Sequence, residues 1–252
     1  MTTYNAFAYI YDELMSDAPY EEWLNYFKRC HQMYLPEGKK VLDVACGTGT
    51  ISILLKEEGF DVTGVDISDD MLAIAQLKAM EKGFHLPLYQ QDMREMERIG
   101  QFDIATVFCD SLNYLQTEND LLHTFLSINK QLMVRGLLLF DVHSIFKIDN
   151  IFIGNTFSLT DEDIAYIWNC YEGPFPNSVE HDLSFFVLDE SSMKYDRYDE
   201  THIQRAFSLE VYEKILKETG FEILAIHGGF DEENYHPECE RIFFSARKIE
   251  NK

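Results

Sequence analysis

The sequence predicts an α/β chain built on a doubly wound, mostly parallel, seven-stranded sheet that carries a small antiparallel β insertion. Three observations lead there. Between residues 40 and 142, short apolar runs alternate with helical stretches, the order of a layered α/β fold. The runs are nearly continuous in apolar residues, which fits parallel strands covered on both faces. Between residues 150 and 205 that rhythm gives way to alternating polar and apolar residues divided by turn clusters, the pattern of antiparallel strands.

The elements follow in order. Residues 5–15 place Phe7, Ile10, Tyr11 and Leu14 on one helical face, and residues 20–34 do the same with Trp23, Leu24, Phe27 and Met33. Residues 1–38 therefore read as an N-terminal helical lid. Residues 41–44 form a first strand ending in a Gly-rich turn, and residues 49–58 a helix with Thr48 and Thr50 as capping residues and Gly59 as its stop. Residues 62–66 are the second strand, and Ser68 caps a helix over 69–82 that Gly83 ends. Residues 86–90 are an edge strand, because Pro87 has no N–H to donate. Residues 102–108 form a fourth strand, 118–133 a helix, and 137–141 a fifth strand after Gly136. The insertion, 150–205, holds about three strands, with 165–169 and 183–187 the clearest. A helix over 208–219, capped by Ser208, returns to the main pattern, and residues 221–226 and 242–246 close the sheet as a hairpin-like pair. Residues 39–149 and 206–252 thus make one core.

Charge narrows the partners. With 21 basic and 44 acidic side chains, the 252-residue chain carries a net charge of −23, which repels phosphates and anionic lipid. No run of Lys and Arg interleaved with aromatics offsets it. Cys30, Cys46, Cys109, Cys170 and Cys239 have no C-x-x-C spacing, so no metal site or disulfide framework is expected. The start lacks a basic, apolar leader, and no stretch reaches the ~18 apolar residues of a bilayer span. The expectation is a cytoplasmic protein with neither nucleic-acid nor membrane partners. Its oligomeric state is not legible, since no heptad seam is present.

The chemistry concentrates in the turn 43–49, Asp-Val-Ala-Cys-Gly-Thr-Gly. A strand, a Gly-rich turn and a helix bring backbone N–H groups against a ligand. Gly47 and Gly49 remove side chains where that ligand approaches. Asp66 ends the next strand, 17 residues after Gly49, where a carboxylate receives ribose hydroxyls; a helix cap is the competing role, although Ser68 already serves it. A dinucleotide and an adenosyl sulfonium both fit so far. Asp43, Asp92 and Asp110 sit at neighbouring strand ends, and such a ring of carboxylates opposes a pyrophosphate but suits a cationic cofactor. Ser52 stands where a third dinucleotide glycine belongs.

Residues 41–49 resemble the first motif of the class I S-adenosylmethionine-dependent methyltransferases. Val65-Asp66-Ile67-Ser68, followed by Asp70-Met71-Leu72, looks like their second signature, and Gln91-Asp92-Met93 like their third. The stretch from Phe108 to Leu115 is also similar to the family. Ala45 departs from it, because many relatives have a first glycine there. The resemblance implies S-adenosylmethionine as cofactor, bordered by Asp43, Ala45, Gly47, Gly49, Met71, Cys109 and Ser111. It further implies Asp66 on the ribose, Ile67 packed on adenine, Asp92 at the adenine amino group and the Met93 N–H at a ring nitrogen. The opening helix resembles that of small-molecule methyltransferases, in which an aromatic reaches over the methionine end; Tyr11 is the first candidate and Tyr4 the second, with plain packing as the other reading.

Methyl transfer from a sulfonium needs alignment and water exclusion more than a covalent intermediate. His143, at the tip of the fifth strand, is the candidate base, with a solvated helix-start residue as the alternative. Asp110 and Tyr11 complete the expected catalytic set. The aromatic, acidic insertion should select the acceptor. The Asn/Asp-Pro-Pro-Tyr motif of nucleic-acid amino-methyltransferases is absent after the fourth strand, and the expected acceptor is a small molecule with N or O. A non-catalytic adenosyl-binding module is the alternative from another class.

Overall fold

A computed structural model describes residues 12, 15, 18–189, 191–230 and 233–250. Apart from residues 12 and 15, the expected first helix, and with it Tyr11 and Tyr4, lies outside the described residues. Helix α1 spans Tyr20–Tyr34 and buries Trp23, Leu24, Tyr26, Phe27 and Cys30. Met33, expected on that face, is instead 67% exposed, because the apolar stripe follows i, i+3, i+4 and i+7 from Trp23.

The core then alternates. Strand β1 is Lys40–Val44, α2 Thr50–Glu57, β2 Asp61–Asp66, α3 Asp69–Glu81, β3 Leu88–Gln90 and β4 Phe102–Val107. Helix α4 is Glu118–Gln131, β5 Leu132–His143, α5 Leu209–Glu218, β10 Phe221–Gly228, β11 Glu233–Asn234 and β12 Arg241–Lys248. One sheet orders these strands β11-β10-β12-β5-β4-β1-β2-β3. β3, β2, β1, β4 and β5 are parallel, and β12 runs antiparallel between β5 and β10. The seven expected strands are all present, with a two-residue eighth, β11, at one edge. β3 takes the opposite edge, and begins after Pro87 rather than at residue 86.

Strand periodicity assigns the two faces. Leu42, Val44, Leu138 and Phe140 pack with α4 and α5 through Phe125, Ile128, Tyr212 and Ile215. Val41, Leu137 and Leu139 pack with α1 and α2 through Trp23, Phe27, Ile51 and Leu55. β5 starts five residues before the expected 137, directly from α4. Its pairing with β4 slips between Phe102 and Ile104, and a bulge with Arg135 at φ +69° leaves Met133 and Val134 half exposed. Helix α4 opens with a capping box from Thr117 and Asp120.

A short helical turn at Ile145–Lys147 and a π-turn at Ile148–Phe152 lead into four strands, β6 Thr156–Thr160, β7 Ile164–Glu172, β8 Ser178–Asp189 and β9 Lys194–Arg205. They form a separate antiparallel sheet in chain order. One side of it packs Cys170, Val179 and Ala206 on Ile148 and Phe152. The sheet is therefore seated against the C-terminal end of β5, at the rim where the parallel strands finish.

Candidate cofactor and acceptor site

The strand order reverses between β1 and β4, and both strands end in left-handed turns. Ala45 has φ +56°, Cys109 +56° and Asp110 +52°. Such angles in non-glycine residues are strained and cluster where ligands bind. Crevices at this switch point are the usual ligand sites of doubly wound sheets. Ala45→Gly should relieve part of the strain and raise the melting temperature by about 2–4 °C, the response to ~1 kcal/mol in a domain of this size; a thermal melt by circular dichroism checks it.

The Gly-rich turn is shaped by what surrounds it. Gly49 has φ +76°, and a Cβ there meets that of Ala75 at 2.8 Å. Gly47 has φ +55°, and its Cβ would stand in open space. Gly49 is the N-cap residue of α2, and no side chain caps that helix. Thr48 and Thr50, expected as caps, point elsewhere. Thr48 Oγ1 donates to Asp12 Oδ1 at 2.5 Å, while Lys78 Nζ donates to Asp12 Oδ2 at 2.7 Å and to Thr50 Oγ1 at 2.8 Å. Ser68 does cap α3, accepting from the Met71 N–H.

Asp66 is buried beside the turn. Its Oδ2 accepts from the Gly47 N–H at 2.8 Å and its Oδ1 from the Ser68 N–H at 2.9 Å. Burial raises its pKa, and those backbone donors oppose the rise. It lines a cavity of about 210 Å³ with Ala45, Ile67, Asp92, Met93 and Tyr114. Ile67 is 64% exposed at this lip, an apolar side chain ready to cover a flat ring. The cavity therefore brings together Ala45, Asp66, Ile67, Asp92 and Met93 from the expected set. Met71 stands nearby on the first turn of α3, and Cys109 and Ser111 lie across the switch point.

The ring of free carboxylates expected here is corrected by the pairings. Arg94 binds Asp92 through Nε at 3.0 Å and Nη2 at 2.5 Å, which lowers the Asp92 pKa. Arg241 grips two acids at once, Asp110 Oδ1 at 3.0 Å through Nη2 and Asp141 Oδ2 through Nη1. Asp43 is fully buried and accepts from Ser52 Oγ at 2.6 Å and Thr106 Oγ1 at 2.9 Å. Burial pushes its carboxyl from the usual 3.8 up to about 6. Asp43 thus ties the end of β1 to α2 through Ser52 and to β4 through Thr106.

That shift predicts a pH effect. The native state holds a proton that the unfolded chain releases between about pH 4 and 6, so this carboxyl's contribution to stability declines as pH rises through that window. Asp43→Asn should melt about 6–12 °C above the parent at pH 8, the response to ~3 kcal/mol, and lose most of that advantage by pH 4. Thermal melts at the two pH values check it.

Across the switch point sits a buried polar centre. Asp110 Oδ2 accepts from Gln204 Nε2 at 2.9 Å and lies 3.3 Å from His143 Nε2. Burial acts to raise Asp110, but His143 and Arg241 hold its carboxyl well below the usual range. Trp23 Nε1 donates to Asp141 Oδ1 at 2.9 Å, and the Asp110 N–H to Asp141 Oδ2 at 3.1 Å. His143 is 6% exposed, so its reading as a solvated helix-start residue is set aside. Burial pushes its pKa down to about 4. Arg241, Gln204 and Trp23 carry this centre and were not legible beforehand, since each comes from a distant element. An exposed-looking Arg at the start of a closing strand was the one available signal.

Residues 41–133 match the family model described as a methyltransferase domain. A provisionally assigned methyltransferase of Geobacillus sp. (strain WCH70) is 47% identical over 247 residues, spanning 98% of this chain and 100% of that protein. The crystal structure of an S-adenosylmethionine-dependent methyltransferase from Clostridium acetobutylicum ATCC 824 matches with a TM-score of 0.87 and 30% identity, covering 98% of this chain and 99% of the other. The sugar N-methyltransferase KedS8 from Streptoalloteichus sp ATCC 53650 shares the fold, with a TM-score of 0.79, 20% identity and coverage of 96% and 93%. The open approach at Gly47, the carboxylate of Asp66 and the uncovered Ile67 fit an adenosyl group. Cavity, relatives and fold agree: this chain belongs to the class I S-adenosylmethionine-dependent methyltransferases.

Proposed function

We propose that the chain methylates an N or O atom of a small molecule. The observation that carries this reading is the closure of the polar centre. Asp110 and His143, at the ends of β4 and β5, are covered by Gln204 from β9 and by Phe152, whose ring meets His143 at 5.3 Å. A centre covered in this way by the insertion leaves no open groove for a polymer and favours a small acceptor. The net charge of −23 opposes nucleic acid. KedS8, of the same fold, is a sugar N-methyltransferase.

When bound, the cofactor supplies a sulfonium-activated methyl group and its own leaving group. The protein's part is placement. Asp66 would hold the ribose hydroxyls, Ile67 and Met93 would flank the adenine, and Gly47, with no side chain, would leave room for the rest of the cofactor. Asp92, held by Arg94, would meet the adenine edge. The rigid turn at Cys109–Asp110 and the insertion exclude water and fix the acceptor's approach.

The test is transfer of tritium from methyl-labelled S-adenosylmethionine into four pools: small metabolites, DNA, RNA and protein. Label in the small-metabolite pool supports the reading. Label confined to macromolecules, or cofactor binding with no transfer into any pool, overturns it.

A further inference from the structure

Hydrogen-bond directions fix the state of His143. Trp168 Nε1 only donates, so His181 Nδ1, 2.9 Å away, accepts. The neutral His181 ring then carries its hydrogen on Nε2, which donates to Gln204 Oε1 at 3.2 Å. That orients the Gln204 amide, whose Nε2 donates to Asp110 Oδ2. Arg241 holds the other oxygen of Asp110. A carboxylate so held only accepts, so the His143 Nε2 facing it at 3.3 Å carries the hydrogen. His143 Nδ1 is left as a bare lone pair. It is buried and meets no donor among the described residues, at the end of β5 where Phe152 of the insertion meets the ring. A buried acceptor without a partner calls for an explanation.

We propose that His143 Nδ1 receives a hydrogen bond from the methyl acceptor's own nucleophilic N–H or O–H, turning that atom's lone pair towards the methyl group; as the new N–C or O–C bond forms and the S–C bond breaks, the neutral thioether would leave, an amine keeping its proton as an ammonium and a hydroxyl passing its proton to Nδ1. This rests on the small-molecule reading above. It restricts the acceptor chemically: the nucleophilic atom bears a hydrogen, as in an uncharged primary or secondary amine or a hydroxyl. Tertiary amines and thioethers are excluded. Asp110 is then the partner that sets the tautomer, and the insertion holds Asp110 in place through Gln204.

Two replacements separate this role from mere support of Asp110. The side-chain oxygen of Asn overlays Nδ1, whereas the amide nitrogen of Gln overlays Nε2. Transfer of tritium into a small-metabolite extract is measured for His143→Asn and His143→Gln, alongside S-adenosylhomocysteine affinity by calorimetry. The expected result is transfer by His143→Asn within about tenfold of the parent, a loss of about a hundredfold or more in His143→Gln, and cofactor-product affinity unchanged in both. Better transfer by the Gln variant, equal transfer by both, or none by either with affinity intact overturns the proposal. Nitrogen-15 spectra of the imidazoles in the full chain give a test free of any acceptor. The Nε2–H tautomer at His143 supports the proposal and the Nδ1–H tautomer overturns it. An absence of label in the small-metabolite pool with the parent protein instead counts against the small-molecule reading.

Discussion

Arg241→Met should cost about 3–5 kcal/mol of folding stability, because it strands two buried carboxylates with no cation between them. Asp141 is fully buried and the Asp110 side chain is 19% exposed, and Arg241 is the guanidinium that both share. Burial already raises Asp141 despite Arg241 beside it. Without the arginine, Asp110 loses its main cation as well, and both acids move upward. In the parent, the depressed pKa of Asp110 stabilises the fold above the unfolded value and ceases to do so as pH falls through the native one. In the variant the sign reverses: raised carboxyls destabilise at neutral pH, and the deficit narrows as they take up protons towards about pH 4. Urea titrations at pH 7.5 and 4.5 read both the loss and its narrowing. Arg241→Lys keeps one charge but not the two-pronged grip, and falls between. A deficit that is small and equal at both pH values would mean that the acids find other partners.

Asp66→Ala should weaken binding of S-adenosylhomocysteine by about 1.5–3 kcal/mol, or roughly 10- to 150-fold, the scale of losing charge-assisted hydrogen bonds to two ribose hydroxyls. The carboxylate is pre-set by the N–H groups of Gly47 and Ser68, so it needs no reorganisation to receive them. Asp66→Asn keeps shape and one acceptor and should lose less. Calorimetric titration checks both, with a thermal melt to establish that each variant is folded. Unchanged affinity in Asp66→Ala places the ribose elsewhere.

The parts of this fold that were legible in the sequence are those governed by local rules. The apolar runs of β1, β2 and β4, the Ser68 cap and the glycine stops all act over a few residues, and Pro87 marked β3 as an edge strand. The Gly-rich turn with Asp66 at the end of the next strand was equally local. What was not legible depends on distant partners. The carboxylates at the strand ends read as a free acidic rim, yet Arg94 and Arg241 neutralise Asp92, Asp110 and Asp141. Arg241 lies 131 residues from Asp110, a separation no spacing rule spans. Gln204 lay in a strand whose pattern spoke only of alternation. Thr48 and Thr50 looked like caps because a helix follows them, and tertiary bonds to Asp12 and Lys78 took their hydroxyls instead. The preference for an adenosyl cofactor therefore rests less on raw charge than on the open Gly47, Asp66 and Ile67, together with the family itself.

The most direct measurement is a crystal structure of the full chain with S-adenosylhomocysteine. The account predicts both ribose hydroxyls on Asp66, the adenine between Ile67 and Met93, and the sulfur across the β1–β4 switch point, facing Asp110 and His143. A ribose away from Asp66, or a sulfur turned from that polar centre, would contradict it.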